Sequence, residues 1–210
     1  MAVVKDPVGY ANLALDKIGQ KAIASMSPPS TPTEIIVARN FDPVRRSVLR
    51  DGVWNFAKKR LVITRDATAP AFDYTDRYLL PNDFIRFLSI NGESEIYQTR
   101  DYDLSEGYLL LNADNANSVN IRYIADITDV TKWDSLFADL FVLRLAQEIS
   151  FSFARDESII ARLDKLVMKA EAKALGTDGQ ERPPKRIQRS KYLAARQRET
   201  SYPAWLVDSE

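Results

Sequence analysis

The sequence predicts an α+β protein: a helical bundle interrupted by an inserted small antiparallel β sandwich or barrel, and finished by an extended C-terminal tail. Three observations predict it. Apolar residues recur at helical spacing before residue 60 and again after residue 134. Between them the apolar period drops to two, in short β-rich runs separated by turn residues. After Gly176 the chain becomes Pro, Lys, Arg and polar residues with no apolar period. The division that follows is 1–59 with 130–176 for the bundle, 60–129 for the β insertion and 177–210 for the tail. At 210 residues the chain can bury roughly two thirds of its unfolded surface, so its core requires no disulfide or metal.

In chain order, a first helix is expected over 6–19. Asp6 is placed to cap it, Pro7 suits the first helical position, and Gly19 suits the stop. Tyr10, Leu13, Ala14 and Ile18 then share one face. The Ser/Pro-rich stretch Ser25–Ser30 reads as a loop. Thr31-Pro32-Thr33-Glu34 is a capping box opening a second helix, whose stripe runs Ile35, Ala38, Phe41, Val44, Val48 and which stops at Asp51-Gly52. Pro43 lies in that stripe and predicts a kink or a meeting of two helices, because proline removes a backbone donor and crowds the preceding turn. Just beyond, Trp54 and Phe56 are expected to seal a helix–sheet junction, with the arginines of 45–50 on the exposed face.

The β-rich runs are Leu61–Thr64, Tyr78–Leu80, Phe84–Ile90, Glu95–Gln98, Tyr108–Leu111 and Val119–Ile124. Asn91-Gly92 is the strongest hairpin signal, because a type I′ turn needs positive φ at both central residues. Further hairpins are expected at Glu106-Gly107 and around Asn112–Asn115. Helix returns at Asp134, with Leu136, Phe137, Leu140, Phe141, Leu143, Leu145 and Ile149 making a surface wide enough to be buried on more than one side. A break near Ala154-Arg155-Asp156 precedes a narrower stripe, Ile159, Ile160, Leu163, Leu166, Val167 and Ala170, expected to end at Gly176.

Two absences bound the chemistry. With no cysteine there is no thiolate nucleophile, disulfide or thiolate-held metal; with no histidine there is no Ser-His-Asp relay or imidazole ligand. A glycosidase needs two carboxylates across a cleft, one with a raised pKa. Asp101 with Asp103 and Glu93 with Glu95 have suitable spacing, but all four adjoin turn signals and read as solvated turn formers. Asp73, Asp76 and Asp83 lack the order of a calcium loop, and the seven glycines are scattered rather than gathered into a phosphate cradle. No catalytic residue, cofactor or metal is therefore assigned, and no enzyme is expected. The N-terminus lacks a secretory apolar region and no apolar run approaches a membrane span, so a soluble chain made in the cytoplasm is expected.

Lys+Arg and Asp+Glu both number 29, yet the charge is segregated. Residues 181–200 hold seven cations, among them Arg182, Lys185, Arg186 and Arg189, against Glu181 and Glu199, for a net of +5. Tyr202 and Pro203-Ala204-Trp205-Leu206-Val207 follow, an apolar end that suits an anchor ordering on docking to a protein. The same cations would also hold DNA without sequence preference.

The helix Leu13-Ala14-Leu15-Asp16-Lys17-Ile18-Gly19 comes first, then the Ser/Pro loop. Phe41-Asp42-Pro43-Val44-Arg45-Arg46 and Val48-Leu49-Arg50 follow, running into Trp54-Asn55-Phe56-Ala57. This order resembles the head-to-tail adaptors of short-tailed bacteriophages, called tail tubular protein A or gatekeeper. Leu80-Pro81-Asn82-Asp83-Phe84-Ile85-Arg86 and the two C-terminal helices agree in order, so the resemblance spans about residues 8–175. It implies a structural virion protein at the head–tail junction. Such adaptors form a ring of twelve under the portal protein, line the channel through which double-stranded DNA passes, and meet the tail nozzle (a tail tubular protein B type) and in some phages a tail fibre. Asp42, Pro43, Arg45, Trp54 and Phe56 carry the motif. Arg182, Lys185, Arg186, Arg189, Tyr202 and Trp205 are the residues expected to meet the portal, on charge and position. A free monomer is expected, since rings closing alone would compete with assembly on the portal. Two other classes remain open: a DNA-binding module acting through the tail, and a carboxylate-dependent cell-wall glycosidase.

Overall fold

The computed structural model describes residues 6–90, 102–113, 116–153 and 157–180. They form four helices and two three-stranded antiparallel sheets, an α+β fold. Helix α1 is Pro7–Lys17, and α2 is Pro32–Asp51. The strands are β1 Lys58–Thr64, β2 Asp76–Leu79, β3 Phe84–Ile90, β4 Tyr102–Ser105, β5 Tyr108–Leu111 and β6 Ser118–Ala125. Helices α3, Ser135–Phe153, and α4, Glu157–Gln180, complete the order. No helix among the described residues is long and apolar enough to cross a membrane.

The helix starts form as the local chemistry dictates. The Asp6 carboxylate accepts the Gly9 amide, and Gly19, two residues past the end of α1, takes φ +70°. At α2 the box closes reciprocally: Thr31 Oγ1 accepts the Glu34 amide at 3.3 Å, and Glu34 Oε2 accepts the Thr31 amide at 2.9 Å. Pro43 does not divide α2, which runs as one helix through it. The missing hydrogen bond is outweighed by the packing of Phe41, Val44, Val48 and Leu49 on the helical core.

The buried faces are rotated from those expected. In α1 the core takes Ala11, Ala14, Leu15 and Ile18, while Leu13 is 38% exposed. Alanines at the contact let α1 lie close against α3. In α2, Val37 is buried in the helical core whereas Ile35 is 51% exposed. Helix α4 continues past Gly176 to Gln180; that glycine keeps helical backbone rather than the left-handed conformation a stop requires.

The two sheets have strand orders β1-β6-β3 and β2-β5-β4. The chain crosses between them repeatedly, and their facing sides share one core of Ile63, Tyr78, Phe87, Leu109, Leu111 and Ile121. Just past β1, Arg65 makes an isolated antiparallel bridge to Tyr78 of β2 and the Asp66 amide donates to the Arg77 carbonyl at 2.9 Å, so the two sheets are joined at one corner. The Glu106-Gly107 turn joins β4 to β5 with φ +52° and +81°, the positive pair that a type I′ hairpin demands. Strand β4 has no counterpart among the runs expected from sequence, as its residues Tyr102-Asp103-Leu104-Ser105 alternate only weakly. The hairpin expected around Asn112–Asn115 does not form, since β5 and β6 belong to different sheets. Asn91-Gly92, Glu95–Gln98 and the break at 154–156 lie outside the described residues.

Helices α1, α2, α3 and α4 enclose a second core, rich in aromatic side chains from Phe41, Trp54, Trp133, Phe137 and Phe141. It includes Ile85 of β3 and Ile124 of β6, whose neighbours Phe87 and Tyr123 belong to the sandwich. The β1-β6-β3 sheet is thus covered by helices at one end of its outer face. Register shifts in β3, between Phe84 and Arg86 and between Phe87 and Ser89, turn Ile85 and Leu88 toward the helices.

Candidate functional site

The motif residues 41–57 build the joint between helices and sheet. Arg45 projects from α2 and is 5% exposed, contrary to the exposed arginine face expected from sequence. Its guanidinium forks onto Asp126, just past β6: Nε donates to Oδ1 at 3.1 Å and Nη2 to Oδ2 at 3.2 Å. Nη1 pairs with Asp42 one turn back. Arg46, itself well exposed, brings Nε to 3.6 Å from the same Asp126. A buried guanidinium is held only where its donors are satisfied, and here two carboxylates satisfy them. The Asp126 amide in turn donates to the Asp83 carbonyl at 2.7 Å, tying the start of β3 to the end of β6.

Arg50, in the last turn of α2, donates from Nη1 to the Ile85 carbonyl at 3.0 Å, and Arg86 donates back to the Arg50 carbonyl at 3.3 Å. The chain then turns through Gly52. A side chain there would collide with the Trp54 indole, whose nearest atom lies 2.5 Å from a built Cβ. Trp54, 2% exposed, donates Nε1–H to the Val48 carbonyl at 2.8 Å, closing the end of α2. Phe56 is partly buried and meets Phe137 edge-on at 5.0 Å, beside Trp54 at 6.5 Å. Pro43 is on a different face of α2, in a groove of about 280 Å³ with Arg144 and Glu148 of α3. The structure therefore joins Asp42 with Arg45 and Trp54 with Phe56, and leaves Pro43 apart from both.

No protein-family model and no curated protein matches the sequence.

Other carboxylates have structural surroundings. Asp76 is buried against Arg65 at 3.1 Å, the Thr75 hydroxyl at 2.8 Å and the Ala113 amide at 3.3 Å. For Asp83, burial pushes the carboxyl pKa up, but hydrogen bonds from Lys59 and the Tyr123 hydroxyl outweigh it and hold the group below its ordinary value. The same contact, added to burial, pushes the Tyr123 hydroxyl up to about 12. Asp73 is exposed on the β1–β2 connection, and Asp103 is exposed on β4, where it accepts the Leu104 amide. Among the described residues, no three Asp or Glu side chains gather as a metal site would require. Glu93, Glu95, Asp101 and the tail residues Arg182, Lys185, Arg186, Arg189, Tyr202 and Trp205 lie outside the described residues.

Sequence reasoning missed Asp126, which holds the joint. It follows a β run with no turn or charge pattern to mark it, and its partner is 81 residues away in sequence.

Proposed function

We propose that this chain is a structural adaptor of a short-tailed bacteriophage virion, assembling as a ring between the portal and the tail nozzle, with the DNA channel passing through the ring. The observation that carries the reading is the joint at 41–57. Two of the residues that carry the family resemblance bind α2 to the β sandwich, Arg45 through Asp126 and Arg50 through the Ile85 carbonyl, while Trp54 closes the end of α2 on Val48. A part that couples a portal above to a nozzle below needs its two regions locked together. A bidentate buried ion pair locks them. The basic, apolar-ended tail from residue 181 is the segment proposed to reach the portal.

Native mass spectrometry of the full chain, alone and mixed with its cognate portal ring, tests the proposal. A monomer that adds to the portal in multiple copies supports it. A chain that ignores the portal but shifts on duplex DNA assigns the function to the cationic tail instead. Truncation after Gln180 is expected to abolish portal attachment; attachment with unchanged affinity removes the docking role from the tail.

A further inference from the structure

Among the described residues, strand β1 is the outer strand of its sheet, paired along its length with β6 alone. That pairing fixes which of its backbone groups are used. The Arg65 amide donates to the Asn117 carbonyl at 2.9 Å, and the register of β1 on β6 runs up to Thr64 and Ser118 without a shift. Bonded positions alternate in an antiparallel ladder, so Ile63, Leu61 and Lys59 turn their amides and carbonyls to β6. Val62 and Arg60 turn theirs outward. From Arg65 onward β2 holds that outer edge, through the bridge to Tyr78 and the bond from the Asp66 amide to the Arg77 carbonyl. Before it the edge is open among the described residues: Arg60 is exposed, Val62 is 59% exposed and Leu61 is 39% exposed. Lys59 pairs with Asp83, whereas Arg60 has no carboxylate partner among the described residues. An edge of this kind is a template for one more strand.

Residues 205–210 of the chain read Trp205-Leu206-Val207-Asp208-Ser209-Glu210. We propose that this run adds to the open edge of β1 in its own chain, as an antiparallel strand with Leu206 opposite Val62 and Asp208 opposite Arg60. In that register every row is matched. The pairs Leu206 with Val62 and Asp208 with Arg60 lie on the face away from the sandwich core. Val207 meets Leu61 and Trp205 meets Ile63 on the core face, where Ile63 is already buried. Pro203 then falls opposite Arg65, where β2 holds the edge and no backbone donor is needed. A slip of one residue brings Val207 or Ser209 to Arg60 and exchanges the two faces. Lys58, Lys59 and Arg60 disfavour a second β1 on the same edge and favour a strand that carries carboxylates. The stretch 181–204 can extend to roughly 80 Å, and a folded domain of this size has a radius of gyration of only about 16 Å. A tether of that kind supplies the segment at roughly millimolar effective concentration, which favours its own chain over another copy. The inference rests on the sheet edge and on the sequence of 203–210. The adaptor reading enters only afterwards, as the event in which portal draws Trp205 off β1.

Amide hydrogen exchange of the full chain, read residue by residue by NMR, tests the proposal. The Arg60 and Val62 amides are expected to exchange as slowly as those of Leu61 and Ile63, which are bonded within the sheet. Leu206→Pro deletes the donor that faces Val62. It is expected to speed exchange at Arg60 and Val62 by about tenfold or more and to leave Leu61 and Ile63 unchanged, so the latter two report that the sheet is still folded. Arg60→Asp is expected to speed exchange at Val62 likewise, and Asp208→Arg added to it to restore the slow rate. Fast exchange at Arg60 and Val62 in the native chain overturns the inference, and so does charge reversal without rescue. Protection that rises with chain concentration, alongside a dimer in sedimentation, assigns the edge to another copy and overturns docking within one chain. Portal attachment, read by native mass spectrometry, is a separate result: a chain that never attaches removes the adaptor reading and leaves the exchange pattern standing.

Discussion

Arg45 shows how one side chain can hold two regions of a chain together. Removing a partner from a buried pair leaves the other charge stranded, which costs far more than the intact pair contributes. Arg45→Met is therefore expected to lower unfolding free energy by about 3 kcal/mol in urea titration. Arg46→Ala, at an exposed partner of the same Asp126, is expected to change it by less than about 1 kcal/mol. Glu34 is the second such residue. It accepts the Ser30 amide at 2.7 Å, the Ser30 hydroxyl at 2.8 Å and the Thr31 amide at 2.9 Å, and these bonds hold its pKa down to about 2. A carboxyl depressed in the folded state stabilises fully above its unfolded pKa of about 4.5, and the contribution is lost as pH falls toward 2. The Tm of the native chain should fall across that window, and Glu34→Gln should flatten part of the fall while lowering Tm at pH 7. Ser89 is the opposite case: its hydroxyl is buried with no partner among the described residues. Ser89→Ala is expected to raise stability by about 1 kcal/mol in the same titration. Of these residues only Glu34 was legible in the sequence, because its partners are four residues away or fewer. Arg45 read as a surface cation because nothing near it in sequence announced Asp126.

Elements were legible where their signals are local. Asp6, Thr31 with Glu34, and the Glu106-Gly107 turn each specify backbone geometry within about four residues, and each does so in the structure. At Gly107, with φ +81° and open space around a built Cβ, alanine meets only backbone strain. Gly107→Ala is expected to cost about 1 kcal/mol, seen as a lower urea midpoint with an unchanged slope. Facing and partnership were less legible. The stripes of α1 and α2 were rotated because the choice between Leu13 and Leu15, or Ile35 and Val37, depends on what lies across the interface. Strand order was not legible at all, since β1 pairs with β6 across some sixty residues and no local pattern reports it.

At the scale of the molecule, the helical core and the sandwich meet on a single sheet, with β6 at its centre. The apolar periodicity made the fold class readable, because it changes twice along the chain. It could not show that Ile85 and Ile124 would face helices while Phe87 and Tyr123 face strands.

Because α1 and α2 pack on α3, which begins at Ser135, the helical core cannot close until the whole β insertion has been made. At ribosomal speeds of about 5–20 residues per second, roughly 4–17 s separate the emergence of the end of α2 from that of the start of α3. Throughout that interval the apolar face of α2, with Phe41, Val44, Val48 and Leu49, waits uncovered. The order in which the ribosome delivers this chain thus leaves that apolar face in water until α3 emerges, and makes the sandwich the first part able to complete itself.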